Sequence, residues 1–194
     1  MVAQPSDPAR VAQEVACALD SVGVPYIIGG SVASTIHGEP RGTLDVDFAV
    51  HMNSDQVAPL VAALTGSFYL DMDAVNEAVV QKRMFNAIHK RLFVKADIHV
   101  RAAEGHSASE MKRATAIALF EGDLSVRIAS PEDVVLRTLW GCRQSPEVAD
   151  RRWRDALGVL QTTGKKIDLH YLQKWSKDLG VRDLLERALG TSTE

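Results

Sequence analysis

The sequence predicts an α+β fold, with a small mixed sheet flanked by helices in its first part and a helical subdomain at its C-terminal end. Two observations predict this. Short apolar segments alternate with helical patterns up to about residue 129, and two of them follow each other as an antiparallel pair. From Ser130 onwards every segment has helical periodicity. We therefore predict two domains, residues 1–129 and residues 130–194.

Composition narrows the class of protein. The chain has 194 residues, of which 46% are hydrophobic and 24% charged, as in ordinary globular proteins. Its formal net charge of -3 excludes a global basic field for nucleic acid or anionic membranes. No signal-peptide pattern or membrane-length apolar run is present, which predicts a cytoplasmic protein with no membrane partner. The two cysteines lack metal-site spacing and are predicted to be reduced thiols.

Helices and strands alternate in the first half of the chain. Asp7 and Pro8 are typical of a helix start, and the helical pattern ends near Gly23. The apolar segment VPYII is then predicted as a strand that runs into a glycine turn. The following predicted elements are a short helix SVASTIHG, a strand TLDVDFAV and a helix SDQVAPLVAALTG.

From residue 67 the chain continues with a predicted strand, SFYLD, and a predicted helix, DAVNEAVVQK. An antiparallel pair follows, MFNAIHK and RLFVKADIHV, with a tight turn near Lys90 and Arg91. A short helix SASEMKRA precedes a hairpin, TAIALFEGDLSVRIA, which we expect to turn at residues 121–123. Ser130 and Pro131 are typical of a helix start. The predicted C-terminal helices are EDVVLRTLWGCR, EVADRRWRDALGVLQTT, DLHYLQKWSKDLG and VRDLLERALG.

Two carboxylates stand one residue apart in the strand TLDVDFAV. Strand side chains alternate between faces, so Asp45 and Asp47 share one face while Leu44, Val46 and Phe48 point to the other. Burial of an unpaired carboxylate is costly, so the aspartate face must be open to water, a ligand or a metal. Neighbouring carboxylates repel each other unless a cation lies between them, and Mg²⁺ prefers oxygen ligands of this kind.

A second strand repeats this arrangement, since Lys95, Asp97 and His99 share one face of VKADIHV. If this strand lies beside the first, Asp97 joins the other two aspartates in a cluster of three carboxylates. Such a cluster can hold two metal ions and act on phosphates. A strand face that is merely solvated remains an alternative for these carboxylates.

A glycine turn precedes the carboxylate pair. Gly29, Gly30 and Ser31 join a predicted strand to a helix N-terminus, where backbone N–H groups and the helix dipole favour phosphate. Arg41 and Thr43, just before the aspartates, either bind phosphate or serve as a surface arginine and a strand-edge threonine. A phosphate cradle followed by paired carboxylates, with a third carboxylate on a later strand, strengthens the prediction of a site for metal ions and phosphate.

These residues resemble the signature of the DNA polymerase β-like nucleotidyltransferases. The matching elements are Ile28 with the glycine turn, and Asp45-Val46-Asp47 after a spacer of thirteen residues from Ser31. The longer segments IIGGSVASTIHGEPRGTLDVDF and ASPEDVVLRTLWGCR are similar to minimal bacterial nucleotidyltransferases, including the AbiEii-type toxins of toxin–antitoxin pairs. The resemblance runs from about residue 24 to residue 189.

The resemblance implies a fold, a reaction and a set of roles. Asp45, Asp47 and Asp97 would ligate two Mg²⁺ ions, with Mn²⁺ as an alternative, and Asp97 would help to deprotonate the acceptor. The glycine turn through Gly30 and Ser31 would hold the triphosphate. The implied reaction transfers a nucleoside monophosphate from a nucleoside triphosphate to a hydroxyl. The acceptor stays open between an RNA end such as that of tRNA, a protein and a small molecule, and a cognate antitoxin is an implied partner.

One position departs from that pattern, because Thr138 stands where close relatives tend to carry Lys. Arg137, Arg151 and Arg152 are the candidates to supply the nucleotide-contacting cation instead. The alternative function is a catalytically degenerate module of the same fold that binds a nucleotide or a protein without turnover.

Overall fold

The computed structural model describes residues 6–119 and 125–192. The chain groups into two compact units. The first, here called the sheet unit, comprises Met1–Gly29 and Thr43–Ile128, and the second, the helical unit, comprises Gly30–Gly42 and Ala129–Glu194. The predicted α+β class is confirmed. The change from strands to helices falls next to the predicted boundary, whereas the segment Gly30–Gly42 groups with the helices. The division into two domains at residue 129 stays a prediction.

The described strands form one mixed seven-stranded sheet in the order β3-β4-β5-β2-β1-β7-β6. In its centre, β2 pairs antiparallel with β1 and parallel with β5, and β1 pairs parallel with β7. The other neighbours are antiparallel, as predicted for both hairpins. The predicted turn at residues 121–123 lies outside the described residues. The strands are β1 Tyr26–Ile28, β2 Asp45–Val50, β3 Phe68–Tyr69, β4 Met84–His89, β5 Lys95–Val100, β6 Thr115–Ala118 and β7 Ser125–Ile128.

The α-helices of the described residues follow the predicted order. None of those helices is long and apolar enough to cross a lipid bilayer. Both cysteines are free thiols, with Cys17 exposed and Cys142 buried. The helices are α1 Asp7–Ser21, α2 Gly30–His37, α3 Val57–Leu64, α4 Met72–Gln81, α5 Gly105–Arg113, α6 Pro131–Gln144, α7 Ala149–Thr163, α8 Leu169–Asp178 and α9 Arg182–Thr191.

The core of the sheet unit lies where α1 packs against β2, β5 and β7. The inward face of β2 carries Val46 and Phe48, and that of β5 carries Ile98, all of them buried. Removing such side chains from water is the main favourable term in folding. Because these residues are buried on one face of the two strands, the polar residues that alternate with them must lie on the other face.

Two predicted strands start later than the sequence indicates. Leu44, predicted to lie on the core face, precedes β2 and is 84% exposed. Thr43 Oγ1 lies 2.9 Å from the Asp45 carbonyl oxygen, a local turn contact that competes with strand pairing. Similarly, β5 begins at Lys95 because Phe93 adopts a left-handed conformation, with φ of 54°.

The helical unit is built around the α6–α7 pair, with α2 packed on both helices. Ser130 caps α6 as predicted, since its side chain accepts a hydrogen bond from the Asp133 backbone N–H. The fully buried Asp133 carboxylate accepts hydrogen bonds from Ser130 Oγ and Tyr171 Oη, each at 2.7 Å. Such bonds satisfy a buried charge and fix the start of α6.

Candidate active site

The two central parallel strands carry the predicted carboxylates. In their register Asp47 lies opposite Asp97, and Asp45 lies opposite Lys95. Residues that are directly opposite in a sheet point to the same face. The predicted adjacency of the two strands is therefore observed, with all three aspartates on the face opposite the core.

The three carboxylates differ in exposure. Asp45 and Asp47 are half-buried, whereas Asp97 retains only 8% of its accessible surface. A polar group as buried as the Asp97 carboxylate is costly unless it has a partner. Lys95 provides one, since its Nζ lies 2.8 Å from Asp97 Oδ2.

Each carboxylate has its own protein partner. Thr43 Oγ1 lies 2.8 Å from Asp45 Oδ1, and His99 Nε2 lies 3.7 Å from Asp47 Oδ1. Within residues 6–119 and 125–192, no group of three or more His, Cys, Asp or Glu side chains is placed to hold a metal ion. One oxygen of each aspartate contacts a different neighbour, Thr43, His99 or Lys95, and the predicted convergence of the three carboxylates on shared metal ions stays a prediction. Their assignment as metal ligands stays a prediction.

The donor set nevertheless fits a hard divalent cation. Three carboxylates on adjacent strands supply the oxygen ligands that Mg²⁺ and Mn²⁺ prefer. In addition, Asp97 Oδ1 is buried and has no hydrogen-bond partner in the described part of the chain. An unsatisfied buried oxygen of a charged group is costly, and a bound cation would satisfy it.

All three carboxylates affect the pKa of Lys95. Its hydrogen bond to Asp97 raises the pKa of the ammonium above the usual value, against the opposing effect of desolvation. The charges of Asp97, Asp45 and Asp47 raise the pKa further. The ammonium is therefore the local counter-ion of this acidic face.

The glycine turn has two different parts. The Gly29 N–H donates a hydrogen bond to the Asp47 carbonyl oxygen at 2.9 Å, which extends the pairing of β1 with β2. This N–H group is therefore engaged within the sheet unit and is not directed at a phosphate. Gly30 begins α2 with φ of 52°, a conformation that favours glycine, and Ser31 is buried. The phosphate-binding role predicted for Gly29, Gly30 and Ser31 stays a prediction.

Arg41 is held by an ion pair within the helical unit. Its Nε and Nη2 lie 2.9 Å and 2.8 Å from the two carboxylate oxygens of Asp155 on α7. Both side chains are mostly buried, at 25% and 14% exposure. A two-pronged contact of this kind fixes the guanidinium in place. The structure therefore gives Arg41 a packing role, and its predicted contact with phosphate stays untested.

A double-mutant cycle separates these two roles of Arg41. We expect Arg41→Met and Asp155→Leu each to lower the free energy of unfolding by about 2 kcal/mol, because each leaves a mostly buried charge unpaired. The double variant should lose little more than either single variant. Urea denaturation of the four proteins measures the coupling. Fully additive losses would mean that the two side chains are not coupled. A loss of nucleotide binding in Arg41→Met but not in Asp155→Leu would favour a direct phosphate contact.

The remaining predicted cations lie on α6 and α7. Arg137 and Thr138 are half-buried on α6, while Arg151 is exposed at the start of α7. Arg152 donates a hydrogen bond to the Gly141 carbonyl oxygen at 2.6 Å, so it is used in the packing of α6 against α7. Of these candidates, Arg151 is the most accessible for a nucleotide, and its role stays a prediction.

Three residues near these groups were not singled out from the sequence. Lys95 and Asn86 were not identified as site residues, although Asn86 lies opposite Asp97 in the β4–β5 register. Strand alternation already places Lys95 on the aspartate face, so that signal was available. Asp155, by contrast, is 114 residues from Arg41, and no local pattern indicates their pairing.

Comparison with known proteins identifies solved structures that are similar to this chain in fold. The sequence matches no protein-family profile, and no curated protein is significantly similar to it. Among solved structures, an antigenic nucleotidyltransferase-like protein from Paracoccidioides brasiliensis is 18% identical over 96% of this chain and 94% of its own, with a TM-score of 0.54. ANT(2″)-Ia in complex with adenylyl-2″-tobramycin is 15% identical over 89% of this chain and 98% of its own, with a TM-score of 0.58.

The solution structure of ANT(2″)-Ia, an antibiotic-resistance factor, agrees, with a TM-score of 0.54, 16% identity and coverage of 94% and 93% of the two chains. At such identities the likeness establishes the fold alone. The chain therefore has a nucleotidyltransferase fold, as the sequence predicts. The AbiEii-type subgroup, which none of these proteins represents, stays a prediction.

Proposed function

We propose that this protein is a Mg²⁺-dependent nucleotidyltransferase that transfers a nucleoside monophosphate from a nucleoside triphosphate to a hydroxyl acceptor. The observation that supports it is the register of Asp47 with Asp97, beside Asp45, on the polar face of two central parallel strands. The likeness in fold to nucleotidyltransferases supports phosphate chemistry at these positions by analogy.

In this proposal Asp45, Asp47 and Asp97 ligate Mg²⁺, which neutralises charge on the triphosphate. Gly30 and Ser31 supply backbone and hydroxyl groups to the terminal phosphates. Transfer of a phosphoryl-type group depends mainly on positioning and charge neutralisation, so carboxylates, a glycine turn and few other groups are sufficient.

The chemical step uses the carboxylate of Asp97 as the proton acceptor. The acceptor hydroxyl gives its proton to Asp97 while its oxygen forms a bond to the α-phosphorus. The bond from the α-phosphorus to the bridging oxygen breaks, and pyrophosphate leaves with that electron pair. The products are the nucleotidylated acceptor, pyrophosphate and one proton, which Asp97 passes on to solvent or to the pyrophosphate.

We favour a small hydroxylated compound as the acceptor. The support is the likeness in fold to ANT(2″)-Ia, whose structure contains an adenylylated aminoglycoside, adenylyl-2″-tobramycin. An RNA end or a protein hydroxyl is the alternative acceptor. Either would fit a second proposed role, as the cytoplasmic toxin of a toxin–antitoxin pair.

Direct labelling tests this function. The purified chain is incubated with each α-³²P-labelled nucleoside triphosphate, Mg²⁺, and either aminoglycosides and other small hydroxylated compounds, total cellular RNA, or a protein extract. We expect label in one acceptor class and an equal amount of released pyrophosphate. Label in the RNA or protein fraction would overturn the choice of acceptor. Nucleotide binding without pyrophosphate release in any mixture would favour the binding-module alternative.

The variant Asp47→Asn tests whether the acidic face is built for a ligand. Asp47 is 34% exposed and its carboxylate lies 3.7 Å from the His99 ring, too far for a strong hydrogen bond, so the empty variant should be at least as stable as wild type. Saturating Mg²⁺ and nucleotide should raise the melting temperature of wild type by roughly 5–10 °C. The variant should lose most of that shift. A variant that melts several degrees lower when empty, yet keeps its response to nucleotide, would mean that Asp47 is structural.

The alternative, a nucleotide- or protein-binding module without turnover, also has support. Arg41 and Arg152 are both engaged in contacts inside the helical unit, and Thr138 stands where a cation is expected. Fewer accessible cations weaken stabilisation of a transition state more than ground-state binding. Pyrophosphate release in the labelling experiment decides between the two functions.

A further inference from the structure

The position of Lys95 gives this residue a function of its own. It is the first residue of β5, directly opposite Asp45 and two residues before Asp97. Its Nζ lies 2.8 Å from Asp97 Oδ2, within the range of a strong charge-assisted hydrogen bond. The lysine is 40% exposed at its side chain and the aspartate only 11%, so the mobile partner is the lysine.

The second observation concerns the other carboxylate oxygen of Asp97. Its other oxygen, Oδ1, is buried and has no hydrogen-bond partner among the described residues. The carboxylate thus depends on Lys95 for its charge compensation. Asp45 lies directly opposite Lys95 and Asp47 directly opposite Asp97, so the negative charges of both also attract the ammonium. Lys95 is thus a cation that lies on the same face as three carboxylates and contacts one of them.

We propose that Lys95 is the resident counter-ion of this acidic face, and that it competes with the divalent cation for Asp97. An ammonium on a flexible four-carbon stem can leave one carboxylate oxygen and remain hydrated nearby. In the empty protein the Lys95 ammonium holds the Asp97 carboxylate in place. When a divalent cation binds, Lys95 has to release Asp97, so the lysine lowers metal affinity while it stabilises the empty site. Lys95 is therefore a positioning residue. The inference shares one assumption with the proposed function, which is that Asp97 is a metal ligand.

Metal binding without nucleotide measures this competition. Mn²⁺ is the probe, because the EPR signal of the free ion is lost when it binds, and Mg²⁺ is then added as a competitor. We expect Lys95→Met to bind Mn²⁺ about tenfold more tightly than wild type, because a competing cation has been removed. The empty variant should melt at a lower temperature, since Asp97 has lost its partner. Lys95→Gln, which keeps a hydrogen-bond donor, is a second variant should Lys95→Met fail to fold.

Two control variants isolate the charge at this position. Lys95→Arg keeps the cation and should bind Mn²⁺ as wild type does. Lys112→Met makes the same change of net charge on the exposed end of α5, and should leave both metal affinity and melting temperature nearly unchanged. If Lys112→Met tightened Mn²⁺ binding as much as Lys95→Met, the effect would be one of net charge and the proposal would fail.

The results separate this inference from the proposed function. If wild type binds Mn²⁺, Asp97→Asn binds it much more weakly, and Lys95→Met binds it no more tightly than wild type, the competition is wrong while the metal site stands. If neither wild type nor Lys95→Met binds Mn²⁺, the metal site and the competition are both wrong. If Lys95→Met loses stability with no change in Mn²⁺ affinity, Lys95 has a structural role only.

Discussion

Asp97→Asn is expected to lower the rate of nucleotidyl transfer by about a thousandfold, the largest effect on activity that we predict. Asn has nearly the same shape as Asp, so the variant keeps the volume at a position that is only 8% exposed. It removes the negative charge that would ligate the cation, and with it the group that would accept the proton of the acceptor. The initial rate of pyrophosphate release, with acceptor in excess, measures the effect.

The control for this prediction is Asp73→Asn. Asp73 is exposed on the first turn of α4 in the sheet unit, away from the strands that carry the carboxylates. The change of charge is the same, and we expect the rate to stay within a factor of about two, as surface substitutions usually have small effects. An Asp97→Asn protein that keeps a third or more of the wild-type rate would remove Asp97 from the chemistry and would contradict the proposed mechanism.

The sequence predicts those features of the site that depend on patterns among neighbouring residues. Strand alternation places Asp45 with Asp47, and Lys95 with Asp97, because the period of a strand is two residues. The pairing of the two strands does not follow from that period alone. Its expectation came from the resemblance to nucleotidyltransferases, and the register that sets Asp47 opposite Asp97 is observed in the structure.

Contacts between distant residues could not be predicted in the same way. Arg41 was interpreted as a phosphate ligand or a surface arginine, yet its guanidinium is bound by Asp155, far along the chain. Sequence distance hides such pairs, since many carboxylates are available to any one arginine. The contact of Lys95 with Asp97 is a different case. Both residues were predicted on one face of the strand. The alternation of strand side chains does not predict which of the three carboxylates the Lys95 ammonium contacts.

The grouping of Gly30–Gly42 with the helical unit was also not predicted. The sequence indicates a short helix closed by Gly38, an ordinary role for glycine at a helix end. The structure gives a different reason for this glycine. Gly38 follows α2 with no left-handed φ, and its backbone approaches α7 closely. Only a residue without a side chain allows that approach, so the requirement is set by tertiary packing and not by local conformation.

Gly38→Ala is therefore expected to cause the largest loss of stability that we predict. A Cβ atom at this position would lie 2.9 Å from Val159 N, 3.0 Å from the Gly158 carbonyl carbon and 3.0 Å from Ser34 O. All three are backbone atoms of helices, which cannot rotate away as a side chain can. Overpacking of this kind costs about 3 kcal/mol, which for a chain of this size lowers the melting temperature by roughly 6–12 °C.

The facing glycine provides a matched control for that prediction. A Cβ atom at Gly158 would meet only the Glu39 side chain and backbone, at 3.5 Å or more, which is ordinary contact. Because Ala is favoured over Gly inside a helix, Gly158→Ala should leave the melting temperature unchanged or raise it by a few degrees. The opposite order of the two variants would mean that α2 and α7 do not approach each other at Gly38. The expected order would show that the close approach at Gly38, together with the Arg41–Asp155 ion pair, holds the segment with Gly30 and Ser31 against α7. A second measurement then follows. Gly38→Ala, assayed well below its melting temperature, should also weaken nucleotide binding if Gly30 and Ser31 hold the triphosphate, because the shift needed to relieve the clash moves α2.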